Sequence, residues 1–252
     1  MTVYFVGAGP GAADLLTVRA QRLIAAVPAV LYAGSLVPAE VLAGARPGAR
    51  LVDTADLDLA AITAELIAAH RAGQDVVRLH SGDPSIFSAV AEQARRLDAA
   101  GVPWQVVPGV PAFAAAAAAL GQELTLPGVG QTVVLTRTAA RATPMPPGED
   151  LAALGATGCT LVVHLAVQNI DRVAAELLPH YGADCPAAVV ARASWPDEEV
   201  LRCELGQLAA QVRERGIRRT AIIVVGRVLR ERSFLDSHLY SAERDRVKGE
   251  PQ

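Results

Sequence analysis

Apolar positions along this chain follow two rhythms that alternate almost from end to end. Val3–Val6 is a short continuous apolar run closed by glycine, and Leu16, Ala20, Leu23, Ile24 and Val27 then recur at helical spacing. Ala29–Tyr32 and Arg50–Asp53 read as a second and a third strand. Leu59, Ile62, Leu66 and Ile67 predict a helix that Gly73 ends, because glycine reaches a left-handed C-terminal turn at little cost. Val76–His80 predicts a fourth strand. A helix over Ser88–Ala100, stopped at Gly101, and a strand over Trp104–Val107 follow. Short apolar strands separated by helices predict a largely parallel sheet covered on both faces.

The rhythm continues after an alanine-rich helix in PAFAAAAAAL. Thr132–Thr136 predicts a strand, and Ala139–Asp150, with three prolines and a glycine, a loop. Thr160–Leu165, Ala187–Ala191, Val200–Glu204 and Thr220–Val225 are further strands, with helices over Asn169–His180 and Gln207–Arg215. From Glu231 onward the chain is charged and aperiodic. The expected architecture is α/β: one α/β domain over residues 1–125, a second over 126–230, and a charged tail over 231–252. A cleft between two such domains is the default place for a ligand.

Composition narrows the chemistry. With 252 residues the chain can bury two cores. Half of it is apolar, yet no apolar run reaches the roughly 18–20 residues that span a bilayer. Met1 leads directly into a strand pattern, so a cytoplasmic protein without membrane contact is expected. The net charge of -3 and the lack of a basic cluster argue against nucleic acid as a partner. Lys248 is the single lysine, which leaves no buried lysine for a Schiff base and none for a Walker loop. Cys159, Cys185 and Cys203 lack CxxC spacing, and the five histidines are scattered, so no metal site is expected.

Three glycine corners follow predicted strands. In VGAGPGAADLLT, Gly7, Gly9 and Ala12 match the dinucleotide fingerprint G-x-G-x-x-G/A. Two requirements of that reading fail. The helix does not begin inside the loop, since the better N-cap is Thr17, and no acidic residue occurs between Asp14 and Glu40 to hold a ribose. RLHSGDPSIFSA places Gly82 where a ligand can approach the backbone, with Asp83 able to accept from hydroxyls or an amine. VVPGVPAFAAAAAAL repeats the strand-then-glycine arrangement before a helix of methyl groups. Strand C-termini are where ligands sit in open α/β sheets. A ligand with hydroxyls, an amine and a carboxylate but no phosphate suits all three, and S-adenosylmethionine is such a molecule.

VGAGPGAADLLT, LYAGSLV, SGDPSIFSA, VPGVPAFAAAAA and TAIIVVGRV together resemble the tetrapyrrole (corrin and sirohaem) methyltransferases, in the family's order from about Val3 to Val228. YAGSLV, QTVVLTR and SWPDEEV look most similar to the branch that methylates carbon 11 of precorrin-4 in cobalamin synthesis. The resemblance implies the tetrapyrrole methylase fold, a homodimer, a tetrapyrrole substrate, and S-adenosylmethionine in the cleft between the domains. Family cofactor contacts fall on Pro10, Ser81, Gly82, Asp83, Ile86, Pro111 and Ala112. In the second domain they fall on Leu165, Ala193, Thr220 and Ala221. Members acting on uroporphyrinogen carry a basic aspartate in a stretch that here reads YAGSLV, so no catalytic base is assigned. The substrate's carboxylates suit arginine forks, and Arg137, Arg141 and Arg192 are candidates, with Trp195 either stacking on the macrocycle or anchoring a turn. Alternatives are the cobalt-loaded substrate, a flavin or nicotinamide oxidoreductase, and a tetrapyrrole carrier.

Overall fold

Strand β1 (Val3–Gly7) lies between two partners, β4 (Val76–His80) and β5 (Trp104–Val107), and runs parallel to both. Beyond β4 come β2 (Ala29–Tyr32) and then β3 (Arg50–Asp53), also parallel. The order β3-β2-β4-β1-β5 therefore brings every strand C-terminus to one edge. The chain leaves β1 toward β2 and leaves β4 toward β5, in opposite directions. The neighbours β4 and β1 thus form the topological switch point, where open α/β sheets bind ligands. The computed structural model describes residues 1–139 and 143–238, so the predicted tail lies outside the described residues from 239 onward.

Helices cover both faces. On one, α1 (Val18–Ala26) and the short α2 (Ala39–Leu42) bury Ala20, Ile24 and Val41 against Val6, Val30 and Leu79. On the other, α3 (Leu59–Arg71) and α4 (Val90–Ala99) bury Ile62, Leu66, Ala94 and Leu97 against Val3, Phe5, Leu31 and Val76. Removing a Leu66 or an Ile24 side chain from water stabilises by roughly 1.5–3 kcal/mol. Thr17 caps α1 as expected, its hydroxyl accepting from Ala20 N–H at 3.1 Å. Asp58 does the same for α3, accepting from Ala61 N–H at 2.7 Å. The alanine-rich helix is α5 (Ala112–Ala119).

The second sheet has the order β6-β7-β10-β8-β9. Its strands are β6 (Val133–Arg137), β7 (Thr160–His164), β8 (Pro186–Ala191), β9 (Glu199–Glu204) and β10 (Ala221–Val225). Unlike the first sheet, this one is mixed. β6 and β7 are parallel, but β10 runs antiparallel to β7, with Val163 opposite Ile223. Burial on both faces makes a strand continuously apolar whichever way it runs, so direction was not legible. Helices α6 (Leu151–Gly155), α7 (Ile170–Tyr181) and α8 (Leu208–Glu214) supply Leu151, Val173, Leu177, Leu208 and Val212 to this core.

The chain divides into two compact units. Residues 1–119 together with 190–199 form one, and 120–189 with the chain from 200 onward form the other. Within the described residues no helix is long and apolar enough to cross a membrane.

Candidate active site

The three glycine corners of the first unit meet at the switch point. The β1 and β4 corners pair through an isolated bridge: Gly9 N–H donates to Gly82 O at 3.2 Å, and Gly82 N–H to Gly9 O at 2.7 Å. The β5 corner closes from the other side. A Cβ built on Gly7 would stand 2.5 Å from Gly109 Cα and 2.8 Å from Gly82 O, so glycine is required by the approach of three backbones. Gly82 adopts φ +67°, with room in front of it only up to Ala112 N and Pro111.

Asp83 locks this arrangement. Its Oδ2 accepts from Gly109 N–H at 2.8 Å, and its Oδ1 accepts from Ser85 N–H at 2.8 Å and from the Ser85 hydroxyl. Burial draws its pKa up, but bonds from the Ser85 hydroxyl, Gly109 N–H and Ser85 N–H outweigh that, and the net shift is downward. Asp83 is therefore ionised at neutral pH. Asp83 thus ties the β4 corner to the β5 corner, and Oδ2 keeps one acceptor position open. Ser81 and Ile86 are half-buried beside it, as are Pro111 and Ala112 at the start of α5.

A segment from late in the chain completes the first corner. Trp195 Nε1–H donates to Pro10 O at 2.9 Å, and Ser194 Oγ accepts from Ala12 N–H at 3.0 Å. The indole lies where a side chain on Gly11 would begin. Trp195 therefore anchors a turn. Arg192 stacks on it, its guanidinium carbon 4.3 Å from the ring centroid, and bonds Asp197 at 2.6 Å. Those two contacts engage Nε and one face of the guanidinium of a candidate substrate arginine. Buried Ala193 lies in the same segment. Trp195→Phe keeps the packing but removes the bond to Pro10; it should cost about 1 kcal/mol in urea unfolding and weaken cofactor binding measurably in calorimetry.

In the second unit, Arg137 stands opposite His164 in the β6·β7 register. The antiparallel register of β7 and β10 brings Leu165 beside Ala221 and Thr220. Arg137 also donates to Thr143 O at 2.9 Å and lines a cavity of about 290 Å³ with Thr138, Pro144, Asp150 and Leu151. Arg141 lies outside the described residues.

Sequence reasoning missed four polar residues. Arg78 is 8% exposed, and its Nε and Nη1 have no hydrogen-bond partner. Each such orphan donor costs about 1–3 kcal/mol. Burial lowers its pKa to about 10, with Asp53 opposing, so it remains charged at neutral pH. His80, two residues on and edge-on to Phe5, is pushed down to about 3 by burial and then by Arg78. Asp53, at the end of β3, accepts from Gly34 N–H and Ala55 N–H, both at 2.9 Å, and these bonds lower its pKa. His164 is lowered to about 4 by burial. The signal was present in VVRLH, where Arg78 and His80 occupy alternate positions of a strand covered on both faces.

These corners supply no lysine and no free glycine loop for a phosphate, but an ionised carboxylate and closely approached backbone. The model of the tetrapyrrole (corrin/porphyrin) methylases matches residues 2–209. The chain belongs to the tetrapyrrole methylases. This tetrapyrrole methylase is 65% identical over 247 residues to a precorrin-4 C(11)-methyltransferase of Rhodococcus erythropolis, covering 98% of this chain and 99% of that one. Among solved structures it resembles a cobalt-precorrin-4 methyltransferase of cobalamin biosynthesis, with TM-score 0.87 and 39% identity over 90% of this chain and 95% of that one. A uroporphyrin-III C-methyltransferase of Thermus thermophilus, complexed with S-adenosylhomocysteine, gives TM-score 0.77 and 34% identity over 91% and 94%. Among the described residues of this tetrapyrrole methylase, Phe87, Ala89, Leu165, Arg192, Ser194 and Thr220 are the non-glycine residues with left-handed backbone. Leu165 and Thr220 are positions the resemblance assigns to the cofactor and Arg192 is a candidate for the substrate, and such strain clusters at functional sites.

Proposed function

We infer that this protein transfers a methyl group from S-adenosylmethionine to carbon 11 of precorrin-4 in cobalamin biosynthesis. The observation that carries this is the 65% identity, end to end, with a precorrin-4 C(11)-methyltransferase. The cobalt-loaded substrate is the second reading; the solved cobalt-precorrin-4 enzyme favours it, but at 39% identity. Gly7, the first glycine of the dinucleotide match, is accounted for by the close approach of the Gly109 and Gly82 backbones.

The residues present fit S-adenosylmethionine. Asp83 Oδ2 offers an acceptor to a hydroxyl or amine, and the corners approach a ligand with backbone rather than bulk. The relative bound to S-adenosylhomocysteine supports the same ligand. When bound, S-adenosylmethionine supplies an electrophilic methyl on a sulfonium sulfur. Pro10, Ser81, Gly82, Asp83, Ile86, Pro111 and Ala112 would then bind and orient it, and Leu165, Ala193, Thr220 and Ala221 would add contacts. Corners already tied to each other by Asp83 and the Gly9–Gly82 bridge hold a ligand at small entropic cost, which is how orientation accelerates an in-line displacement. Asp83, kept ionised, accepts hydrogen bonds and does not serve as an acid. A homodimer in the cytoplasm completes the proposal. The three cysteines are free, which suits a reducing compartment.

The test is incubation with methyl-labelled S-adenosylmethionine and precorrin-4, with the new methyl located by NMR. One methyl at carbon 11 is expected; transfer to another carbon, or none, would refute the reading. Asp83→Asn should weaken S-adenosylhomocysteine binding about tenfold, from loss of a charge-assisted bond, while the protein still melts cooperatively. Unchanged affinity would remove Asp83 from the site.

A further inference from the structure

Arg78 is the least explained charge in the molecule. Its strand is covered on both faces, and its neighbours on its own face, Val76 and Leu31, belong to an apolar cluster. Among the described residues it has no hydrogen bond and no ion pair, and two of its guanidinium nitrogens are enclosed without a partner. Asp53 attracts it from a distance, but that carboxylate already receives Gly34 and Ala55 N–H. His80, the next side chain on the same face, is neutral and brings no second charge. A buried cation without a counter-ion is costly, and an apolar side chain of equal volume would be cheaper.

Position gives the charge a use. Arg78 lies three residues before Ser81, on the strand whose corner sits at the switch point. Its neighbour β2 is followed by Ala33-Gly34-Ser35, three small residues of which the last two are exposed. A side chain on Gly34 would collide with the Asp53 carboxylate, so this end of β2 stays bare. We propose that Arg78 takes one carboxylate of the tetrapyrrole substrate, which enters past the end of β2 and pairs with the guanidinium at Nη2, the one of its nitrogens that is not enclosed. This rests on the reading of the substrate as a tetrapyrrole polycarboxylate. Arg78 is then a specificity-determining cation of the first unit. A guanidinium that stays charged is suited to a carboxylate.

The experiment compares the wild type with Arg78→Met and Arg78→Lys by fluorescence titration with uroporphyrin III and with its methyl ester. S-adenosylhomocysteine binding and melting temperature are measured on the same samples. The wild type should prefer the free acid. Arg78→Met should lose that preference by about tenfold or more, the scale of a charge-assisted pair, and Arg78→Lys should lose less. Both should keep S-adenosylhomocysteine affinity, and Arg78→Met should melt no lower than the wild type, because it removes an uncompensated buried charge. No acid preference in the wild type, or an unchanged preference in Arg78→Met, overturns the proposal. So does loss of acid, S-adenosylhomocysteine and melting temperature together, which would mark a purely structural arginine. If the wild type fails to methylate precorrin-4 yet shows the Arg78-dependent acid preference, the activity reading fails and this one stands.

Discussion

Gly109→Ala should be among the most damaging single substitutions in this protein, costing more than about 4 kcal/mol or preventing folding. The added methyl would press on the Gly82 carbonyl oxygen and lie 2.8 Å from Gly7 Cα and 3.0 Å from Gly7 C. All of these are backbone atoms of neighbouring parallel strands or their corners, so no side chain can swing aside. Relief requires the β5 corner to separate from those of β1 and β4, which breaks the bond from Gly109 N–H to Asp83. Gly7→Ala should behave alike, since its methyl would meet Gly109 N and Cα at 2.5 Å. Gly73 is the internal control. It has φ +69° but nothing near its absent Cβ, so Gly73→Ala should cost only about 1–2 kcal/mol of left-handed strain. Urea unfolding of the three variants checks this. A Gly109→Ala loss no larger than that of Gly73→Ala would show that the corners do not rely on this close approach.

Stability should fall steeply in mild acid, by about 4 kcal/mol between neutral pH and pH 5. His80 and His164 are neutral in the folded protein down to about pH 3 and about pH 4, because burial disfavours their charged forms. In the unfolded chain each gains its proton near pH 6.5. Below that value the unfolded state binds more protons than the folded one. Stability is therefore whole above pH 6.5 and is lost as pH falls toward the folded values. At pH 5 each ring accounts for about 2 kcal/mol. Asp53 and Asp83, both lowered, weaken the fold only at more acidic pH, as they protonate below their ordinary value of 3.8. Guanidinium or urea melts at pH 7, 6 and 5 give the slope. His80→Leu should halve it whatever it does to stability at pH 7; an unchanged slope would show that His80 is protonated in the folded state.

Much of the fold was legible because its elements are local. Val76–His80, Trp104–Val107 and Ala29–Tyr32 match their predicted bounds, and Thr17 caps α1, since apolar runs and a capping hydroxyl act within a few residues. Two of the misses at strand ends have a common cause. Thr160–Leu165 and Thr220–Val225 were each one residue too long, because Leu165 and Thr220 turn left-handed there. Neither is glycine, so composition carried no sign of it. The family motifs located the corners as well, while the ties among their residues are tertiary. Asp83 ties two corners, Trp195 bonds Pro10, the anchoring alternative of its two expected roles, and Arg192 pairs with Asp197 through Nε.

The sequence by itself determined the alternation of strands and helices, the three glycine corners, the absence of a lysine for phosphate chemistry, and the family. These follow from periodicity and from residue types at short spacing. Only the tertiary structure decided why the glycines are glycines. Gly7 and Gly109 are 102 positions apart in sequence yet leave no room for a methyl between them, and Gly11 makes way for a tryptophan from beyond position 190. The tertiary structure also decided that Arg78 is buried without a partner. That depends on which strands flank β4 and which helices cover it, and no local pattern encodes either.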